Sequence, residues 1–173
     1  PPIDSVFSLT PCDCSARRSR WIPDELALGD TVAAEPPRSA FAPVLRARRH
    51  LLVAAGIGIT PMVSHLRSAQ LWGRDVRLLY IHRQGRGAYA DVVAQLGENA
   101  SMHTRRADFA DELLAALADQ PFGTHLYVCG PASFIEYVTG AATDLGWPDS
   151  RIHLEHFGSD ALDPGEPFAA RIT

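Results

Sequence analysis

The sequence predicts an α/β domain organised on a five-stranded parallel sheet. Three observations predict it. Five short runs rich in Val, Leu, Ile and Tyr alternate with segments whose apolar residues recur at helical spacing. The first run, residues 51–55, is apolar throughout, as a strand covered on both faces must be. It leads directly into Gly56-Ile57-Gly58-Ile59-Thr60-Pro61, a glycine turn followed by helix-opening residues.

The elements follow in order. Strand 51–55 leads to a helix over 61–72, with Thr60 as its cap and Pro61 in its first turn, where no N–H is needed. Met62, Val63, Leu66 and Ala69 form its inward stripe, and Gly73 stops it. Residues 76–81 are the second strand, 89–96 a short helix and 101–104 the third strand. Residues 108–118 are helical, with Phe109, Leu113, Leu114 and Leu117 inward. The fourth strand is 125–129. Pro131 opens a helix that carries Ile135, Val138 and Leu145 and ends at Gly146. The fifth strand is 151–155. Strands and helices alternating at this spacing imply crossover connections and a parallel sheet.

Composition narrows the function classes. The chain has 173 residues, enough for a full core, and its 46% hydrophobic and 21% charged residues are ordinary for a soluble globular protein. A net charge of −4 gives no reason to expect a nucleic-acid partner or an anionic membrane surface. No apolar run reaches the length of a membrane span, and no signal-peptide pattern stands at the start, so a cytoplasmic location is expected. Three scattered cysteines make no disulfide framework, Cys12-x-Cys14 has the wrong spacing for common zinc or redox motifs, and no metal site is expected.

Chemistry concentrates where strands end. Gly56 and Gly58 permit a tight turn without Cβ atoms, and Ile59, Thr60 and Pro61 follow at a helix amino end. Free N–H groups and the helix dipole there make a seat for a phosphate. A third glycine, usual in the common dinucleotide fingerprint, is replaced by Pro61. Cys129-Gly130-Pro131 and Glu155-His156-Phe157 end the fourth and fifth strands, at the edge where open α/β sheets bind ligands. Read blandly, Cys129 is a buried small hydrophobe and Phe157 core filler. His153 and His156 lie three apart on a strand and point to opposite faces, which makes His156 a poor metal ligand. After the second strand comes Ile81-His82-Arg83-Gln84-Gly85-Arg86. It lacks the carboxylate that holds ribose hydroxyls in NAD sites, and Arg83 and Arg86 can pair with a 2′-phosphate.

The three motifs, in this order and at roughly this spacing, resemble the pyridine-nucleotide signatures of the ferredoxin–NADP reductase superfamily. Within it the chain is most similar to the phthalate dioxygenase reductase and vanillate demethylase reductase group. The resemblance implies a Rossmann-like nucleotide-binding domain preceded by part of an antiparallel flavin-binding β-barrel. It divides the chain into 1–46, the partial barrel; 47–158, the NAD(P)H-binding domain; and 159–173, a linker and the start of a [2Fe–2S] ferredoxin domain. It implies that Gly56, Gly58, Ile59, Thr60 and Pro61 hold the pyrophosphate of NADPH or NADH. Gly130, Pro131 and Glu155 complete the cofactor site, and Cys129, Thr60 and Phe157 form the catalytic set. Cys129 would stand beside the nicotinamide, and Phe157 against the flavin or nicotinamide face. Arg83 and Arg86 tilt the coenzyme towards NADPH, although NADH-using relatives also carry an arginine at this turn.

On the flavin side, Ser5-Val6-Phe7-Ser8-Leu9 resembles the family's Arg-x-Tyr-Ser motif, with Ser5 in place of its arginine. Phe7 and Ser8 would meet the isoalloxazine, and Ser19 and Arg20 its phosphate, with FMN favoured over FAD. Residues 167–172 resemble the first strand of a ferredoxin domain; a cluster needs four thiolates, so [2Fe–2S] is expected only with chain beyond Thr173. The activity implied is hydride transfer from nicotinamide to flavin, with electrons passed on to an oxygenase or demethylase. Ser5 and the shortened barrel motivate an alternative: a non-catalytic nucleotide-binding or assembly subunit of an oxygenase that has lost flavin.

Overall fold

Alternate residues of β1 (Arg49–Ala55) feed two separate cores, and this decides the architecture. Leu51 and Val53 join Phe109, Leu113, Leu117, Ile135 and Val138 on one face of the sheet. Leu52 and Ala54 join Ile59, Met62, Leu66, Val93 and Tyr127 on the other. In this computed structural model, residue 27 and residues 41–157 are described. Ala40–Gly158 form one compact unit. Its five strands are all parallel, in the order β3-β2-β1-β4-β5, with β2 Asp75–Ile81, β3 Ala100–His103, β4 Thr124–Gly130 and β5 Ile152–His156. Helices α1 (Ile59–Trp72) and α2 (Ala90–Ala94) cover one face; α3 (Arg106–Ala118) and α4 (Ala132–Asp144) cover the other. Among the described residues, no helix is long and apolar enough to cross a membrane.

The expected α/β fold is present, with corrections at its edges. α1 starts at Ile59, with Gly58 at its N-cap after a 3-10 turn over Gly56–Gly58, so Thr60 does not cap it. Pro61 sits in the first turn, where its missing N–H costs little. Leu114, expected inward, is 47% exposed, and Leu145 is 38% exposed just beyond the end of α4. Leu114 lies 100° around the helix from Leu113, and the inward stripe continues instead through Ala116. In α4 that place falls to Ala142. Small residues fill these positions because helix and sheet approach closely there. Trp147 closes the α4–β5 connection, donating its Nε1–H to Leu117 O at 2.9 Å. The Phe41 ring packs against those of His65 and Tyr127.

Two polar clusters brace the faces. On the α1 side, His65 Nε2 lies 2.8 Å from Phe41 O and His50 Nε2 lies 3.3 Å from Val44 O. Carbonyl oxygens only accept, so both rings carry their proton on Nε2. The Val44 N–H donates to the Tyr127 hydroxyl at 2.7 Å. His153 stacks on Tyr127, and its Nε2 lies 2.9 Å from His125 Nδ1. On the α3 side, Glu112 accepts hydrogen bonds from Ser101 and, at 2.9 Å, from Arg77, tying α3 to β2 and β3. His103 Nε2 stands 2.8 Å from its other oxygen, near enough to attract it but outside hydrogen-bonding geometry.

Burial opposes the charge on Glu112, but the bonds from Ser101 and Arg77 outweigh it and hold the carboxyl below its ordinary range. A depressed carboxylate contributes stability above its unfolded pKa and loses it as pH falls through the folded one. Glu112→Gln should therefore cost about 1–2 kcal/mol at neutral pH, a figure reduced for partial exposure. Urea denaturation should show the gap to wild type closing below about pH 4. A gap of constant size across that range would show that the charge contributes nothing.

Candidate functional site

The strand order turns back between β1 and β4, since the chain goes outward from β1 through β2 to β3 and then crosses to β4. Open α/β sheets bind ligands in the crevice at the carboxyl ends of such strands. Register brings the three sequence motifs to that edge. Ala54 pairs with Cys129, and Cys129 with Glu155, so the ends of β1, β4 and β5 stand side by side.

Each segment is shaped by its residues. Gly56 has φ +56°, a conformation that favours glycine, and a Cβ there would meet nothing within 4 Å. The space beside this turn is open, and the amino end of the 14-residue α1 follows it. Ile57 is 40% exposed at the tip. At Gly58 the neighbour is backbone. A Cβ there would lie 2.2 Å from Cys129 O, so its bare backbone lets the turn seat against the end of β4. The Thr60 hydroxyl donates to Ile57 O at 3.0 Å, bracing the turn, and leaves its lone pairs free.

On β4, Cys129 is fully buried on the α1 side. Burial, with the charge of Glu155 beside it, pushes its thiol up to about 12, so it stays protonated at neutral pH. Gly130 lies against the Phe134 ring and Ala55; an added Cβ would come within 2.8 Å of that ring. The Pro131 carbonyl accepts from the N–H groups of Phe134 and Ile135, opening α4. On β5, burial raises the Glu155 carboxyl, and its Oε2 is buried with no hydrogen-bond partner. Phe157, just beyond the strand, is 51% exposed. At the end of β2, the Arg86 N–H donates to Arg83 O at 2.9 Å across a tight turn. Both arginines are exposed, and neither meets a carboxylate among the described residues.

Of the sixteen expected site residues, ten converge on one edge, namely Gly56, Gly58, Ile59, Thr60, Pro61, Cys129, Gly130, Pro131, Glu155 and Phe157, with Arg83 and Arg86 after the neighbouring strand β2. Phe7, Ser8, Ser19 and Arg20 lie outside the described residues, as do residues 159–172. Sequence inspection missed Tyr80, His82 and Phe134, which hold the loops in place. A tyrosine at the inward position before a glycine-bearing turn was the available signal for the first.

Residues 30–152 match the family described as the N-terminal domain of dimethylamine monooxygenase subunit DmmA-like proteins. The chain is 36% identical, over 92% of its length, to the heme-dependent oxidative N-demethylase beta subunit of Ectopseudomonas mendocina, of which it covers 52%. It is 34% identical, over 82% of its length, to a vanillate O-demethylase oxidoreductase from a Pseudomonas species, of which it covers 46%. The chain thus spans about half the length of these relatives. Phthalate dioxygenase reductase superposes with a TM-score of 0.63 at 30% identity, over 73% of this chain and 40% of that one.

Proposed function

Because the chain belongs to the family of DmmA-like N-terminal domains and has the fold of ferredoxin–NADP reductase-like proteins, we propose that it is the nucleotide-binding portion of a reductase component. It moves electrons from NADPH or NADH through a flavin to an oxygenase or demethylase. The observation that carries this is the meeting of three loops, Gly56–Pro61, Cys129–Pro131 and Glu155–Phe157, at the carboxyl edge of β1, β4 and β5.

The residues present fit a nicotinamide dinucleotide. Open space at Gly56 and the amino end of α1 suit its pyrophosphate, because N–H groups and the helix dipole both favour an anion. Exposed Arg83 and Arg86 suit a 2′-phosphate and favour NADPH. When bound, the nicotinamide supplies a hydride and the flavin receives it. The protein's part is orientation and a dry, shaped surface. Buried Cys129 and Gly130 form a floor without charge, Phe157 offers an exposed aromatic face, and the orphaned Glu155 oxygen awaits a donor. Residues 1–46 contribute to an FMN barrel, 47–158 to nucleotide binding, and 159–173 lead towards a [2Fe–2S] domain. The names of the relatives support an N- or O-demethylase as the electron acceptor.

Visible absorption of the full-length protein, incubated with FMN and then given NADPH or NADH anaerobically, tests this. Flavin bands should bleach on addition of nucleotide. Bands that never form, or that persist with both nucleotides, would overturn the enzyme and favour the non-catalytic subunit.

A further inference from the structure

The loop that carries Arg83 and Arg86 is fixed at both ends. At its start, the His82 backbone N–H donates to His103 O at 2.9 Å, and His82 Nδ1–H donates to Arg83 O at 2.9 Å. In the middle, Gly85 has φ +74°, which allows the tight turn that sets Arg83 and Arg86 at its two corners. The chain then folds back over the His82 ring. Gly87 lies close against it: a Cβ there would come within 2.9 Å of that ring, which would have to shift. At its far end, the Ala88 N–H donates to the Tyr80 hydroxyl at 3.1 Å. Tyr80 is fully buried on β2, and its ring lies 4.9 Å from that of His82.

The next residue, Tyr89, has φ +56° and is the one non-glycine residue with positive φ among the described residues. A bulky side chain held there is strained, and such strain persists only where surrounding contacts impose it. Those contacts are the Tyr80 bond one residue earlier, the Val93 N–H bonded to Tyr89 O at 3.0 Å, and packing of Ala88 and Tyr89 on the α1-side core. A strained loop, anchored on both sides, whose two exposed guanidinium groups meet no carboxylate among the described residues is built to present them in a set geometry. Arg49, Arg77 and Arg105, by contrast, pair with carboxylates.

We propose that Tyr80 is a positioning residue for coenzyme choice, its buried hydroxyl holding the Arg83–Arg86 turn in the geometry that receives a 2′-phosphate. Tyr80 has this role only if the β2 loop faces a nicotinamide dinucleotide, as proposed above. The hydroxyl acts through Ala88 and never touches the ligand. Its loss frees the loop, so that guanidinium pairing with the phosphate must then bear the cost of ordering the chain. The adenine and pyrophosphate contacts made elsewhere are unaffected.

The test is calorimetric titration of the full chain with 2′,5′-ADP and with 5′-AMP, in wild type, Tyr80→Phe, Gly85→Ala and an Arg83→Ala/Arg86→Ala double variant. Tyr80→Phe retains the ring and its packing. It should weaken 2′,5′-ADP about 5- to 10-fold, the range set by one hydrogen bond, and leave 5′-AMP unchanged. Gly85→Ala, which strains the turn without steric contact, should show the same selective loss. Tyr80→Phe with unaltered 2′,5′-ADP affinity, while the double arginine variant loses it, would overturn the role of Tyr80 alone. Equal losses for both ligands in Tyr80→Phe would also overturn it, because the hydroxyl would then serve the fold and not the choice of coenzyme. A double arginine variant, or wild type, that does not distinguish the two ligands would overturn the 2′-phosphate site and the role of Tyr80 with it.

Discussion

Gly58→Ala is expected to destabilise the domain by about 3 kcal/mol, near the upper end for overpacking. The new methyl would sit 2.2 Å from Cys129 O, 2.5 Å from its carbonyl carbon and 2.9 Å from the Gly130 nitrogen. All three are backbone atoms of a central strand, so no side chain can turn away to relieve the clash. Either the 3-10 turn or the end of β4 must move, and both border the crevice. Gly56→Ala provides the contrast. A methyl there meets nothing within 4 Å, and the cost is the left-handed backbone alone, about 1 kcal/mol. Its methyl occupies the space proposed for the pyrophosphate, so nucleotide binding should suffer more than folding does. Chemical denaturation of the two variants, alongside nucleotide titration, separates these effects. Equal loss of stability in both would sink the assignment of Gly58 to packing.

Acid is expected to weaken the domain between about pH 6.5 and about pH 4, through its buried histidines. His50 is 1% exposed, and burial drives its pKa from the ordinary 6.5 to about 4, against the opposing bond to Val44 O. Neighbouring His65, Arg74 and His125 push the same way. His65, His125 and His153 are also lowered, each chiefly by burial, with His153 acting on His65, Arg151 on His125 and His125 on His153. The geometry gives the reason. His50 and His65 already use Nε2–H on backbone carbonyls, so a second proton must go to Nδ1, which is buried and without a partner in both. The unfolded chain accepts protons at a pH where the folded one refuses them. Stability is therefore complete above about pH 6.5 and falls as pH drops towards about 4, with His50 alone contributing on the order of 3 kcal/mol. The segment Phe41–Val44 should loosen first, since His50, His65 and Tyr127 hold it. Urea midpoints across that interval check the slope, and His50→Gln, which can keep a donor to Val44 O, should flatten it. Stability that does not change with pH there would contradict a neutral buried cluster.

By itself the sequence determined the class of fold, the order of its elements and the three loops that meet at one edge. Those features are local or periodic: a continuous apolar run marks a strand buried on both faces, and residues at strand ends reach the ligand-binding edge of any parallel sheet. Helix ends at Gly73 and Gly146 were legible for the same reason. The tertiary structure decided which apolar residues are inside. Leu114 and Leu145 have suitable chemistry but stand off the stripe, while small Ala116 and Ala142 fit where helix meets sheet. It also decided what each polar residue does. Gly58 is bare because a carbonyl from β4, more than 70 positions away, lies against it; four histidines scattered between 50 and 153 become one cluster; and Tyr80 becomes the anchor of a loop it precedes. Periodicity carries information about neighbours along the chain, whereas a close approach between distant backbones exists only once the sheet has fixed its register.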